Sequence, residues 1–169
     1  TLRSSTGDPQ DVWIDNKAAH IQDNASGGKT HITMSGITFA NGRANSPDRG
    51  SSIYFAANPC YAVVSNCVFR DASQDTTYSY GGAVAVCGHA EFVDCLFTNN
   101  VGRRAGGAIY ADSSSTSYAA NEDGMVYLTR CKFYDNIITN GNATHTGGAV
   151  SFNSPDAKMW GLVLKDCEF

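Results

Sequence analysis

The chain has 169 residues, 42% of them hydrophobic and 17% charged, with a formal net charge of −4. It is too apolar for a disordered segment and long enough for one domain with a sizeable core. Its basic residues are scattered, with Arg103 and Arg104 the one adjacent pair, which excludes a nucleic-acid footprint, and no apolar run approaches the ~18 residues that span a bilayer.

The first thirty residues read as an entry coil. Leu2, Val12, Ile14 and Ile21 mark short β-like stretches, separated by turn residues such as Gly7-Asp8-Pro9 and Asp15-Asn16. The opening at Thr1-Leu2-Arg3 and the close at Cys167-Glu168-Phe169 both read as the interior of a fold. The expectation is therefore a single segment over 1–169 of a longer protein, with no signal peptide in this stretch.

From residue 31 the chain repeats itself. Five segments align, at 31–39, 61–69, 89–97, 125–133 and 161–169, each ending on Phe39, Phe69, Phe97, Phe133 or Phe169. Each opens with two alternating apolar residues (Ile32/Met34, Ala62/Val64, Ala90/Phe92, Val126/Leu128, Leu162/Leu164). Period two means a strand with one buried face. A mostly polar two-residue interruption follows, and the buried pair then resumes as Ile37/Phe39, Cys67/Phe69, Cys95/Phe97, Cys131/Phe133 and Cys167/Phe169. That is the signature of two short strands joined by a bend. The bend position holds Gly36, Asn66, Asp94, Arg130 and Asp166, which reads as a tolerant, solvent-facing site.

Asn41, Asp71, Asn99 and Asp135 sit two residues past the first four phenylalanines. They mark a turn, because these side chains bond nearby backbone and accept left-handed conformations. A variable stretch leads to a second motif, Gly50-Ser-Ser-Ile53, Gly81-Gly-Ala-Val84, Gly106-Gly-Ala-Ile109 and Gly147-Gly-Ala-Val150, which opens a third strand. One such unit cannot bury its apolar face alone, whereas stacked units can. The predicted fold is all-β: a right-handed parallel β-helix, or solenoid, of about five coils with three short strands each. A propeller needs longer blades of four antiparallel strands.

The Gly-Gly-Ala motifs at 81–84, 106–109 and 147–150, with Phe-x-x-Asn at 97–100 and 133–136, resemble the repeats of chlamydial polymorphic outer-membrane proteins. The resemblance covers roughly residues 31–169. It departs at Gly50-Ser-Ser-Ile53, Phe39-Ala-Asn-Gly42 and Phe69-Arg-Asp-Ala72. It implies an autotransporter-type surface adhesin with a β-helical passenger. The opening, Leu2 to Val12 followed by Ile14-Asp15, is similar to the early coil of secreted bacterial β-helix proteins of the pectin-lyase-like kind. Both motifs describe how a coil turns rather than what it binds.

Six cysteines divide into two groups. Cys67, Cys95, Cys131 and Cys167 share one repeat position and are expected to stack as a ladder of buried thiols, about 4.8 Å apart. A linear stack does not supply the converging ligands of a zinc site, so no metal is expected there. Cys60 and Cys87 are placed in turns of neighbouring coils and are the candidate disulfide pair.

Catalytic motifs are not evident. Asp and Glu are scattered rather than paired as in glycosidases or gathered as in calcium-dependent lyases. Gly88-His89 lacks the accompanying residues of a hydrolase motif, and His89 aligns with Tyr61 and His31 at a strand start. Asn121, Glu122 and Asp123 form a candidate Ca²⁺ turn, and Asn24 and Asn142 begin glycosylation sequons. No cofactor is expected.

Function should lie on what varies between repeats. The loops at 42–49, 72–80, 100–105 and 137–146 carry Arg43, Tyr78, Tyr80, Arg103, Arg104 and His145, and the insertion at 112–124 carries Tyr118. Tyrosines flanked by polar residues suit sugar stacking or protein contact. The leading expectation is a non-enzymatic extracellular scaffold or adhesion module that contacts carbohydrate or a cell-surface protein. The alternatives are a carbohydrate-active enzyme of the polysaccharide-lyase type and a filament segment that associates end to end through unpaired strand edges.

Overall fold

A computed structural model describes residues 1–15, 21–23, 30–44, 50–55, 60–74, 80–112, 124–139, 147–153 and 161–169. The described residues form strands, turns and bends without a helix, and hence no helix long and apolar enough to cross a membrane. The entry region supplies β1 (Leu2–Arg3), β2 (Trp13–Asp15) and β3 (Ile21–Asp23). The first repeat supplies β4 (Thr30–Ser35), β5 (Thr38–Ala40), β6 (Arg43–Ala44) and β7 (Ile53–Phe55). The second gives β8 (Cys60–Ser65), β9 (Val68–Arg70), β10 (Ser73–Gln74) and β11 (Val84–Val86). The third gives β12 (His89–Val93), β13 (Leu96–Thr98), β14 (Val101–Gly102) and β15 (Ile109–Asp112). The fourth gives β16 (Met125–Thr129), β17 (Lys132–Tyr134), β18 (Ile137–Ile138) and β19 (Val150–Asn153), and β20 (Gly161–Lys165) opens the last copy.

These strands sort into four sheets, and every pairing is parallel. A long sheet runs β1-β4-β8-β12-β16-β20, and a Phe sheet runs β2-β5-β9-β13-β17. A sheet of two-residue strands runs β6-β10-β14-β18, and a Gly-Gly-Ala sheet runs β3-β7-β11-β15-β19. From β4 onward the chain visits the four sheets in the same order in every repeat. This arrangement is compatible with a parallel β-helix.

The sequence led us to expect three strands per repeat; the structure has a fourth. Residues 43–44, 73–74, 101–102 and 137–138, read as the starts of loops, pair across repeats as their own narrow sheet. Two residues are too few to carry a period-two pattern, so this strand leaves no mark in the sequence.

Register explains the core. Phe39, Phe69, Phe97 and Phe133 lie opposite one another in the Phe sheet. Their rings stack at 5.0, 4.8 and 4.9 Å with interplanar angles of 8°, 6° and 5°, and Phe169 continues the column at 4.9 Å and 7°. Phe92 of the long sheet meets Phe69 and Phe97 edge-on. The aliphatic column Ile53, Val84 and Ile109 of the Gly-Gly-Ala sheet joins the same cluster.

The bends show why the chain turns where it does. Asn66, Asp94, Arg130 and Asp166 all have φ between 48° and 54°, and Gly36 has φ 64°. The position is therefore not tolerant: it demands a left-handed backbone, which Gly and Asn adopt most easily and Arg only under strain. The turn residues Asn41, Asp71, Asn99 and Asp135 are left-handed as expected, at φ 53–57°. In the Gly-Gly-Ala motif the first glycine, Gly106, has φ 64°, and a Cβ there would strike the carbonyl oxygen of Ile109. A Cβ on the second, Gly107, would strike the carbonyl oxygen of Gly148 in the next repeat. One glycine thus makes the turn and the other lets adjacent repeats approach.

Candidate functional site

The sequence-selected loop residues separate into those that reach a common face and those that do not. Ile109 and Ala111 enter the core cluster, so Tyr110 and Asp112 fall on the opposite face of the Gly-Gly-Ala sheet. Tyr80 stacks on Tyr110 at 4.6 Å, and the Arg104 guanidinium lies over the Tyr80 ring, 5.1 Å from its centroid. The Tyr80 ring thus has both a ring and a cation against it. On the adjoining strand Asn153 sits in register with Asp112. Its Nδ2 donates to Asp112 Oδ1 at 3.2 Å and to the Tyr110 hydroxyl oxygen at 3.5 Å. Asp112 and Tyr110 are only 1% and 2% exposed. Tyr110 escaped the sequence reading because it alternates with core residues inside a strand, and Asp112 and Asn153 because they fall at strand ends, Asp112 having been counted with the 112–124 insertion.

Arg103 is used differently. Its Nε donates to the backbone oxygen of Gln74 at 3.1 Å, while buried Gln74 donates through Nε2 to the carbonyls of Tyr80 and Gly81. Arg103 thus braces the turn into the Gly-Gly-Ala motif. Arg43 belongs to β6, opposite Ser73. Tyr78, Tyr118 and His145, and the calcium candidates Asn121, Glu122 and Asp123, lie outside the described residues, as do both sequons. Among the described residues no group of three or more His, Cys, Asp or Glu side chains could hold a metal ion.

The thiols are placed by the same register. Cys67, Cys95 and Cys131 are buried; Cys67 Sγ lies 3.3 Å from the Ser65 carbonyl, while Cys95 lies between the carbonyls of Val93 (3.4 Å) and Val64 (3.5 Å), and Cys131 between those of Phe92 (3.4 Å) and Thr129 (3.6 Å). The hydrogen bond with Cys131, and then burial, push the Cys95 thiol well above the usual thiol range. Cys60 and Cys87 are not joined. Cys60 opens β8 and packs in the core cluster with Ala62 and Val64, whereas Cys87 is buried outside that cluster, its Sγ 3.8 Å from the Tyr54 hydroxyl. In this structure the expected Cys60–Cys87 pair therefore stands as two separate thiols in different surroundings.

A second surface went unrecognised in the sequence. On the long sheet Ala62, Val64, Ala90, Phe92, Val126 and Leu128 enter the core, so the residues between them face outward. His31 and Tyr61 stack at 5.2 Å and 13°; Tyr61 and His89 follow at 5.6 Å and 33°, and His89 and Tyr127 at 5.6 Å and 47°. His89 Nε2 lies 3.4 Å from Glu91 Oε1. Three of these rings share one repeat position, and that alignment was the available signal.

Comparison with protein-family models, with curated proteins and with solved structures finds no match.

Proposed function

We propose that the chain is part of a right-handed parallel β-helix of about five coils that serves as a non-enzymatic scaffold and adhesion module on a bacterial surface or in a secreted protein. The fixed order in which the chain visits its four parallel sheets supports the coil, and crossovers between parallel strands are right-handed in nearly all proteins. The Gly-Gly-Ala and Phe-x-x-Asn motifs carry the likeness to autotransporter passengers.

One observation carries the adhesive reading. Several polar groups at the turns and bends bond side chains on the neighbouring strand layer instead of converging on one point. Asn41 reaches Asp15 at 3.2 Å, Asn99 reaches Asp71 at 2.6 Å, and Arg130 reaches Asp94 at 2.7 Å. Such side chains are engaged in ladders, and a ladder is a scaffold's use of them. Acid–base chemistry needs groups gathered within reach of one substrate atom.

A glycan array of the purified chain, with and without Ca²⁺ and read for both retention and cleavage, tests this. Retention without cleavage is expected. Unsaturated oligosaccharide products would overturn the reading in favour of a polysaccharide lyase, and buried Asp112 would then be the first residue to replace.

A further inference from the structure

The Phe sheet buries its phenylalanines and turns the residues on either side of them outward. Trp13, Val68, Leu96 and Lys132 lie in one outward column, and Arg70, Thr98 and Tyr134 in the other. Trp13, at one end, is 59% exposed, and Tyr134, at the other, is 36% exposed. Val68, Arg70, Leu96 and Thr98 between them are half-buried. The Arg70 guanidinium lies over the Trp13 indole, 4.4 Å from its centroid, and is held in turn by Asp71 at 2.9 Å. The ring therefore leans from β2 toward β9, two strands away. An indole this exposed contributes little to the core, and the cation fixes its orientation before any ligand arrives.

Two rims flank this floor. The bends with Asn66 and Asp94 border it on one side, and the turns with Asp71 and Asn99 on the other. A carboxylate oxygen that already accepts one hydrogen bond keeps a second lone pair for another. Size and charge select the occupant. With strands ~4.8 Å apart and ~3.3 Å per residue, the floor covers on the order of 200 Å², well short of the ~800 Å² per partner that a stable protein interface buries. A linear sugar chain one unit wide fits it. A pyranose lying flat presents C–H groups on its face and hydroxyls around its edge, which match an aromatic and aliphatic floor between polar rims. The cations on floor and rims each lie against a carboxylate: Arg70 against Asp71, Arg130 against Asp94 at 2.7 Å, and Lys132 against Glu168 at 3.2 Å. Asp135 and Asp166 add negative charge at the rims, so a polyanion is repelled and a neutral chain is not.

We propose that the outward face of the Phe sheet binds an uncharged β-linked glycan, laid across the strands from Trp13 to Tyr134 with Val68 and Leu96 beneath it. The proposal rests on the adhesive reading and names its ligand class and site. Neither catalysis nor a metal is involved.

Tryptophan emission reads the site directly, because with Trp160→Phe in place Trp13 is the chain's one tryptophan. Titration with neutral β-linked glucose oligosaccharides, from disaccharide to hexasaccharide, should move that emission to shorter wavelength as the indole leaves water. Affinity should climb until about four sugars span the floor and then level off, and oligogalacturonate should bind at least about tenfold more weakly. Trp13→Ala and Tyr134→Ala each remove one platform. By calorimetry each should weaken the tetrasaccharide roughly three- to tenfold with an unchanged melting curve, and Trp13→Phe should recover part of the loss. Tyr127→Phe, on the long sheet, should leave the affinity unchanged. Emission that does not shift, affinity that survives both alanine variants, or oligogalacturonate bound equally well overturns the proposal. If the array retains a glycan while Trp13 emission stays fixed, the adhesive reading stands and this site fails. If the array retains none, this site fails as well, and the adhesive reading passes to a protein ligand.

Discussion

Arg130 donates through Nε and Nη2 to the two carboxylate oxygens of Asp94, one repeat away, at 2.7 and 2.8 Å, and both residues hold left-handed backbones at φ 51° and 54°. The pair is half-exposed. The hydrogen bond from Arg130 holds the Asp94 carboxyl below the usual carboxylate range. A depressed folded-state value means that the contribution to stability is complete above the unfolded value, about pH 4, and fades as pH falls through the folded one. Side-chain carbon NMR should therefore give Asp94 a midpoint below that of a free aspartate, and Arg130→Gln should move it back up. An unchanged midpoint would mean that the pair does not persist in solution.

The same residue tests the bend. Arg130→Val puts a β-branched side chain at positive φ and should lower the thermal midpoint by roughly 3–6 °C. Arg130→Asn supplies the side chain used at Asn66 and should leave the midpoint near that of the parent despite losing the ion pair, since exposed pairs contribute little. Equal losses in both variants would place the stabilisation in the pair instead of the backbone.

Phe97 lies at the centre of the ring column, between Phe69 at 4.8 Å and Phe133 at 4.9 Å. Phe97→Ala removes two stacking contacts and leaves a cavity that the neighbouring repeats cannot fill, since their spacing is set by backbone pairing. The expected cost is about 3–5 kcal/mol by urea unfolding. Phe97→Leu should cost clearly less.

Asn100 is fully buried. Its Nδ2 donates to the Phe69 carbonyl at 3.0 Å and to Asn136 Oδ1 at 2.9 Å, and its Oδ1 accepts from the Ala72 amide at 3.1 Å. Asn100→Ala deprives a carbonyl and an amide of the preceding repeat at once, and should cost about 2–3 kcal/mol or more, because buried polar groups left without partners bear their full desolvation penalty. Amide exchange of Ala72 should accelerate in parallel. Stability loss without faster exchange at Ala72 would argue for a packing effect.

Much of this fold was legible because stacking repeats the same demand in every copy. The Phe column, the alternating pairs and the paired glycines recur in register, so five weak signals reinforce one another. The two-residue strands of the narrow sheet give no such signal. The bend was misread because Arg130 stands among Gly, Asn and Asp, and only the backbone angle shows that it meets the same left-handed requirement. Surface chemistry is harder still. Outward residues such as Tyr61 and Glu91 change chemical character from copy to copy while their inward neighbours stay apolar, so in the sequence they resemble drift. Arg103, chosen from its loop position, turned out to brace Gln74, a contact that only folding creates.

The cysteines offer the last test. Cys67 and Cys95 are buried, and burial contributes to pushing both thiols up, which leaves little thiolate at neutral pH and makes native alkylation slow. Cys167 is also pushed up by burial but is partly exposed. Iodoacetamide at pH 8 should therefore label Cys167 well before Cys67 and Cys95. After denaturation without reductant, all six cysteines should alkylate, read as six mass increments. Four increments, with Cys60 and Cys87 protected, would restore the bridge between them. That result would mean the Cys87 side chain leaves the Tyr54 hydroxyl and reaches the core face of β8 when the protein matures in an oxidising compartment.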